Sequence, residues 1–311
     1  MVNLTDVNAA FERICATTGV HQTAVMTCAS LDVLAGASLF FKCEHLQKTG
    51  SFKARGALNA VRSLDQQTAA NGVATHSSGN HGAALAWAAA SRHIPAFVVV
   101  PNNAPLAKKH NIALHGAEII ECEPTLQARE ATLGEVVRRT GANYIPPYDD
   151  DRVIAGQGTA TLELLAQTGH LDSIVTPVGG GGLLAGSILA AGAGIRIFGA
   201  EPAMADDAFR SLATGIRVTA HTPRTIADGL QTTLGERNFA IIKTRSAGIL
   251  LVSEDEIRAA MTLLWSRLKQ LVEPSSAVTL AAVLRYPEHF AGQRVGLVLT
   301  GGNMTLPALG V

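Results

Sequence analysis

No cysteine framework is present: the four thiols, Cys15, Cys28, Cys43 and Cys122, show no CxxC spacing. That excludes a disulfide-stapled secreted domain and fits a reducing compartment, with the cysteines expected as buried thiols. Charge of either sign is not in excess, with Lys+Arg and Asp+Glu at 25 each. No global field therefore favours nucleic acid or an acidic lipid surface, and a small-molecule ligand is expected. No apolar run reaches the ~18 residues of a spanning helix, and residues 1–13, carrying Asp6 and Glu12, lack the pattern of a signal peptide. A cytoplasmic protein with no membrane partner is expected. Internal repeats and low-complexity tracts are missing too.

What is present is apolar material, 47% of 311 residues against 16% charged, enough for one large or two medium domains. After an N-terminal helix expected to be capped by Thr5 or Asp6, short apolar runs alternate with helical patterns. The runs at 39–42, 73–76, 96–100, 118–121, 173–178, 196–200, 249–252 and 294–300 read as strands. Helices are expected over 80–91, 105–115, 125–139, 153–167, 183–193 and 254–271. The last opens on a capping box, Ser253 and Glu256, with Ile257, Met261, Leu264 and Leu268 on one stripe. Such alternation implies βαβ units and a mostly parallel sheet, with ligands at the carboxyl ends of strands. The Pro- and Asp-rich stretch 145–151 is the best domain boundary, unless it is an ordinary loop.

Four motifs follow strands. Lys53, in Ser51-Phe52-Lys53-Ala54-Arg55-Gly56, stands at a strand-to-helix junction. It is either a solvated surface charge or an amine desolvated for Schiff-base chemistry. Gly179-Gly180-Gly181-Gly182 opens a helix and would expose backbone N–H groups to an anion, unless it is only a flexible loop. Neither GxGxxG with its later acidic residue nor a P-loop is met cleanly, so a phosphate monoester is expected. His76-Ser77-Ser78-Gly79-Asn80-His81-Gly82 suits a carboxylate, although Ser78 or Asn80 could simply cap a helix. Thr300-Gly301-Gly302-Asn303 offers a hydroxyl able to meet a ring nitrogen, or marks a turn.

In this order the four motifs resemble the pyridoxal-phosphate (PLP) enzymes of the tryptophan-synthase β-like class, fold type II. The resemblance leans to serine/threonine dehydratases and eukaryotic-type serine racemase and covers nearly the whole chain, including Ala155-Gly156-Gln157-Gly158-Thr159 and Ile226-Ala227-Asp228-Gly229. It implies an α/β fold of two doubly wound, mostly parallel three-layer domains with the PLP site in the cleft between them. Residues 1–70 and 149–311 would form the large domain and 71–148 the small one, in a homodimer.

By the same resemblance Lys53 would carry the cofactor, Phe52 would pack beside its ring, and Gly179, Gly180, Gly181 and Gly182 would bind its phosphate. Asn80 would face the ring hydroxyl and Thr300 the ring nitrogen. Ser77, Ser78, Asn80 and His81 would hold the substrate carboxylate, with Ser78 and Lys53 as the catalytic pair on opposite faces of Cα. Arg129, His76 and Thr232 would reach the substrate's distal end. Glu201, Asp207 and the Ala205 carbonyl resemble a divalent-cation site for Mg²⁺, Mn²⁺ or Ca²⁺, unless the acids merely favour a helix N-terminus.

Two positions depart from relatives, Ala24 where a proline is usual and Thr232 where the racemase has serine. The end at Val311 leads us to expect no regulatory domain. The expected activity is β-elimination from a β-hydroxy amino acid such as L-threonine or L-serine, giving a 2-oxo acid and ammonia. Alternatives are serine racemase or 3-hydroxyaspartate dehydratase, and, outside catalysis, a ligand-binding regulatory protein of the same fold.

Overall fold

The runs read as strands assemble into two sheets. The computed structural model describes residues 2–15 and 19–304. Ten strands occur among them: β1 (Val25–Met26), β2 (Ser38–Lys42), β3 (Val73–His76), β4 (Ala96–Pro101), β5 (Glu118–Cys122), β6 (Asn143–Tyr144), β7 (Ser173–Pro177), β8 (Arg196–Pro202), β9 (Gly248–Val252) and β10 (Arg294–Val298). One sheet has the order β1-β2-β10-β7-β8-β9 and the other β5-β4-β3-β6. Every pairing is parallel except β1 with β2. The fold is α/β with parallel sheets, as expected.

Strands buried on both faces need a helical layer on each side. On one side of the larger sheet the helix Pro274–Arg285 packs with Ile257 and Leu264. On the other lie Val7 and Ala10 of the helix Leu4–Cys15, with the helices Asp151–Thr168 and Gly182–Ala191. Glycines set the spacing in that second layer. A Cβ on Gly156 would stand 2.6 Å from the Gly56 Cα, and one on Gly186 would stand 2.5 Å from the Ile154 carbonyl. The helix Asp151–Thr168 thus touches, backbone to backbone, both the Lys53–Arg62 helix and the helix behind the four glycines.

Strand order brings distant motifs together. The carboxyl ends of β2, β10, β7 and β8 are successive neighbours, and they lead to Lys53, Thr300, Gly179–Gly182 and Asp207. The loop 77–79 follows β3, which is central in the smaller sheet.

Several details differ from expectation. The first helix is capped by Asn3, not Thr5 or Asp6: Asn3 Oδ1 accepts from the Thr5 N–H at 2.8 Å while Asp6 Oδ2 accepts from the Asn3 N–H. The helix expected over 254–271 is α-helical only for Glu254–Leu263 and then widens into a π turn, Leu264–Leu268. Lys269, with φ at +62°, ends it, and Gln270 then reaches His45 at 2.9 Å. Of the cysteines only Cys43 is buried. Cys28 sits at a helix start beside Ser30, and Cys122 lies on the edge strand β5. No helix among the described residues is long and apolar enough to cross a membrane.

Candidate active site

Between the two sheets lies a cavity of about 700 Å³. Every residue expected to meet cofactor or substrate lines it: Phe52, Lys53, His76, Ser77, Ser78, Asn80, His81, Arg129, Gly179 to Gly182, Thr232 and Thr300. The cation candidates Glu201, Ala205 and Asp207 do not.

Lys53 is the first residue of its helix, and its Nζ donates to the Pro147 carbonyl at 2.7 Å. The Phe52 ring centroid is 5.1 Å from that nitrogen. Burial lowers the lysine pKa to about 8, against the opposing pull of Glu273. An amine held there is far closer to its nucleophilic, uncharged form than a surface lysine.

The helix start is anchored from behind. Arg55, fully buried, donates to both oxygens of Glu44 at 2.7 Å and to Glu163 at 3.1 Å. Lys42 donates to the same Glu163 and to Gln167. Two buried cations thus face two buried carboxylates, which satisfies the requirement that interior charge be paired. Burial alone would raise Glu44, but Arg55 holds its carboxyl below the ordinary value.

The four-glycine loop fits a phosphate. Among the described residues the N–H groups of Gly179, Gly180 and Gly181 make no hydrogen bond. They lie at the N-terminus of the helix Gly182–Ala191, where the backbone dipole favours an anion. A Cβ on Gly180 would fall 2.2 Å from the Tyr148 ring, and Gly181 has φ at +87° with Leu234 2.5 Å from its Cβ position. Side chains are excluded on both counts. Tyr148, which the sequence reading did not single out, therefore forms one wall of the cavity beside the glycine loop.

Thr300 is buried, with its hydroxyl 3.0 Å from Ser276 Oγ. The Phe52 N–H donates to the Thr300 carbonyl at 3.0 Å. Across the cavity, Ser78 makes no hydrogen bond among the described residues. His81 bonds the Ile145 carbonyl through Nε2 at 3.0 Å, and burial, then the charge of Lys53, depresses its pKa to about 3. It is a neutral, fixed side chain. His76 stacks on Tyr144 and meets its hydroxyl at 3.3 Å. Arg129 forms no ion pair among the described residues, and its Nε donates only to the Thr125 carbonyl, at 3.4 Å. Thr232 is exposed to the cavity.

Glu201 accepts from the N–H groups of Ala208 and Phe209, both at 3.0 Å, the plain helix-start role. Burial nevertheless raises its carboxyl well above the ordinary value, with Asp207 adding to the shift. Asp207 Oδ2 accepts from the Leu234 N–H, while Oδ1 is buried without a hydrogen-bond partner, 3.5 Å from His221 Nε2. An orphaned carboxylate oxygen beside a second buried acid fits a cation. No three His, Cys, Asp or Glu side chains converge to hold a metal among the described residues, so backbone and water oxygens would complete the shell.

Glu273 also lines the cavity and was missed by the sequence reading. It accepts from Asn80 Nδ2 at 3.0 and 3.2 Å and from the Asn303 N–H at 3.2 Å. Burial raises its carboxyl to about 7, with the Asn80 hydrogen bond working in the opposite direction. The signal available was Glu273-Pro274, a proline at the first position of a helix.

Comparison with known proteins agrees with this chemistry. The chain is 48% identical to the serine racemase of Dictyostelium discoideum, over 99% of this chain and 97% of that one. The crystal structure of that racemase superposes with a TM-score of 0.94, covering 98% and 99% of the two chains. A β-hydroxyaspartate dehydratase of Paracoccus denitrificans is 47% identical over 98% of this chain and 97% of its own. The crystal structure of a T.th. threonine deaminase is 44% identical, with a TM-score of 0.92 over 98% and 99%. Residues 16–301, which carry the lysine, the glycine bed and the threonine, match the family model described as pyridoxal-phosphate dependent enzyme, and the chain belongs to that family.

Proposed function

We propose that the chain removes the Cα proton of a β-hydroxy amino acid, with dehydration of 3-hydroxyaspartate as its principal outcome. Arg129 carries this reading: it lines the lysine's cavity with no acidic partner among the described residues, beside His76, and so offers a cation to a substrate's second carboxylate. The relative named β-hydroxyaspartate dehydratase supports it.

When bound, PLP supplies an electron sink conjugated to Cα. Gly179 to Gly182 would hold its phosphate through backbone N–H groups, Phe52 would pack beside the ring, and Asn80 would face the ring hydroxyl and Thr300 the ring nitrogen. Ser77 and the N-terminus of the helix Asn80–Ala90 bind the substrate's α-carboxylate. Lys53, uncharged, accepts the Cα proton. The β-hydroxyl leaves as water, and a water is taken up again as ammonia is released. The 3-hydroxyaspartate skeleton thus becomes a 2-oxo dicarboxylate with no change of net redox state.

A second reading is racemisation of serine, favoured by Ser78, whose hydroxyl is uncommitted among the described residues and enters the cavity from the other sheet's loop. Racemase relatives support it. Relatives weigh toward these two outcomes rather than the plain dehydration of L-threonine or L-serine expected from sequence. Residues 71–148 act here as the unit presenting the Ser77–His81 loop, and 1–70 with 149–311 as the cofactor unit. A homodimer and a divalent cation at Glu201, Asp207 and the Ala205 carbonyl belong to the same reading. Purified enzyme should be offered both serine enantiomers, threonine and both 3-hydroxyaspartate diastereomer pairs, scoring 2-oxo acid and inverted enantiomer separately. Fastest 2-oxo acid release from a 3-hydroxyaspartate is expected. Faster release from threonine or serine overturns the substrate assignment.

A further inference from the structure

Asn80, Asn303 and Glu273 close a ring of side chains across the cleft. Asn303 Nδ2 donates to Asn80 Oδ1 at 2.8 Å and to the Thr49 carbonyl at 2.7 Å, which uses both of its protons. Asn80 Nδ2 in turn gives one N–H, shared between the two oxygens of Glu273. Glu273 is itself fixed. Its N–H donates to the Gly301 carbonyl at 3.0 Å, and a Cβ on Gly301 would lie 2.6 Å from its carboxylate, so only glycine lets it approach. The residue is only 4% exposed, leaving bulk water little part in holding it.

A carboxamide has two N–H donors and one carbonyl acceptor. With the Asn80 carbonyl turned toward Asn303 and one N–H toward Glu273, the only donor left is the second N–H, beside one further lone pair on a carbonyl that points at Asn303. In its ionised form Glu273 cannot donate, and it then forbids the flipped rotamer that would set the Asn80 carbonyl against it. We infer that Glu273 is a positioning residue of the cofactor site, locking Asn80 so that an N–H rather than a carbonyl meets the cofactor's ring oxygen. The inference rests on the reading that Asn80 faces that oxygen. Its chemical consequence is that the bound ring oxygen is held as an acceptor, in its deprotonated form. Replacing Glu273 with Gln keeps the size but brings in an N–H that can repel the Asn80 donor and release the flip.

The test uses holoenzyme. In Glu273→Gln, the visible absorption of bound PLP should shift or lose intensity, and the Kd for PLP should weaken about tenfold or more, the scale of a hydrogen bond to a charged group. Asn303→Ala, which frees the Asn80 carbonyl from the other side, should alter the same band. In an Asn80→Ala background, Glu273→Gln should change neither band nor Kd further, since Glu273 acts through Asn80. An unchanged spectrum and Kd in Glu273→Gln, with only a lower melting temperature, overturns the role and leaves a structural carboxylate. Equal effects of Glu273→Gln with and without Asn80 overturn it also. If Asn80→Ala itself leaves the band and Kd intact, the placement of Asn80 opposite the ring oxygen fails instead, a separately readable result.

Discussion

Lys53 Nζ stands 2.7 Å from the carbonyl of Pro147, so the only hydrogen bond this amine makes among the described residues is to a neutral acceptor. A neutral partner does not hold the ammonium form as a carboxylate would, and burial takes the pKa down to about 8. The neutral fraction then grows about tenfold per pH unit below 8 and saturates above it. Capture of PLP by apoprotein, followed as gain of visible absorbance, should accelerate with that slope and level off above pH 8. A rate still climbing steeply from pH 9 to 10 would show an ordinary solvated lysine. Lys53→Ala should show neither the band nor turnover.

Arg55 gives a prediction about stability. It is the shared partner of Glu44 and Glu163, both buried. Arg55→Leu would leave two interior carboxylates with Lys42 alone between them, and removing one partner of a buried ion pair costs about 3–5 kcal/mol. Urea unfolding should show a loss of that order, and a change under about 1 kcal/mol would mean water reaches the cluster.

How far the sequence discloses this site depends on the range of the signal. The glycine bed and Thr300 each sit where a β-rich run ends in small residues, a pattern visible within ten positions, and Lys53 follows its strand at only slightly longer range. The capping box at Ser253 and Glu256 is equally local, and both hydrogen bonds are present. Glu273 is different, because its partners Asn80 and Asn303 are brought to it only by sheet order and the cleft. Helix Pro274–Arg285 hides for a related reason: buried residues line all its sides, so no amphipathic period marks it. Two-residue strands such as Asn143–Tyr144 carry too few side chains for alternation to register. The π turn at Leu264–Leu268 keeps the apolar stripe of an α-helix while changing its hydrogen bonds, so side-chain pattern alone reads straight through it.

The cation prediction follows from the orphaned Asp207 Oδ1. If Mg²⁺ or Mn²⁺ binds there in the native state only, melting temperature should fall on chelation and rise with cation concentration, as linkage requires. Asp207→Asn should flatten that response. A variant that still tracks cation concentration like the parent would place the ion elsewhere.

Ser78, on the loop after β3, and Lys53, at the start of its helix, line one cavity. Inversion at Cα needs a second proton donor, whereas elimination needs only the base. Ser78→Ala should therefore lower serine racemisation by a much larger factor than dehydration of the enantiomer whose proton Lys53 removes. Equal losses, measured by chiral chromatography and 2-oxo acid release on the same preparation, would count against the division.

On the 3-hydroxyaspartate reading, Arg129 would decide the substrate's far end. The residue is half-buried at the cavity and free of acidic partners among the described residues, although Glu130 is its neighbour in sequence. A carboxylate placed there gains a charge-assisted contact, worth ~1.5–3 kcal/mol or roughly ten- to a hundredfold in kcat/KM. His76 would join as a neutral partner, because burial, then the nearby Arg129, lowers its pKa. The parent should therefore favour 3-hydroxyaspartate over threonine, and Arg129→Ala should reduce kcat/KM for 3-hydroxyaspartate roughly ten- to a hundredfold, with a much smaller loss for threonine. Arg129→Lys should recover only part, since an ammonium lacks the planar fork that grips both carboxylate oxygens. A parallel fall for both substrates would make Arg129 a general prop of the cavity and return the specificity question to His76 and Thr232.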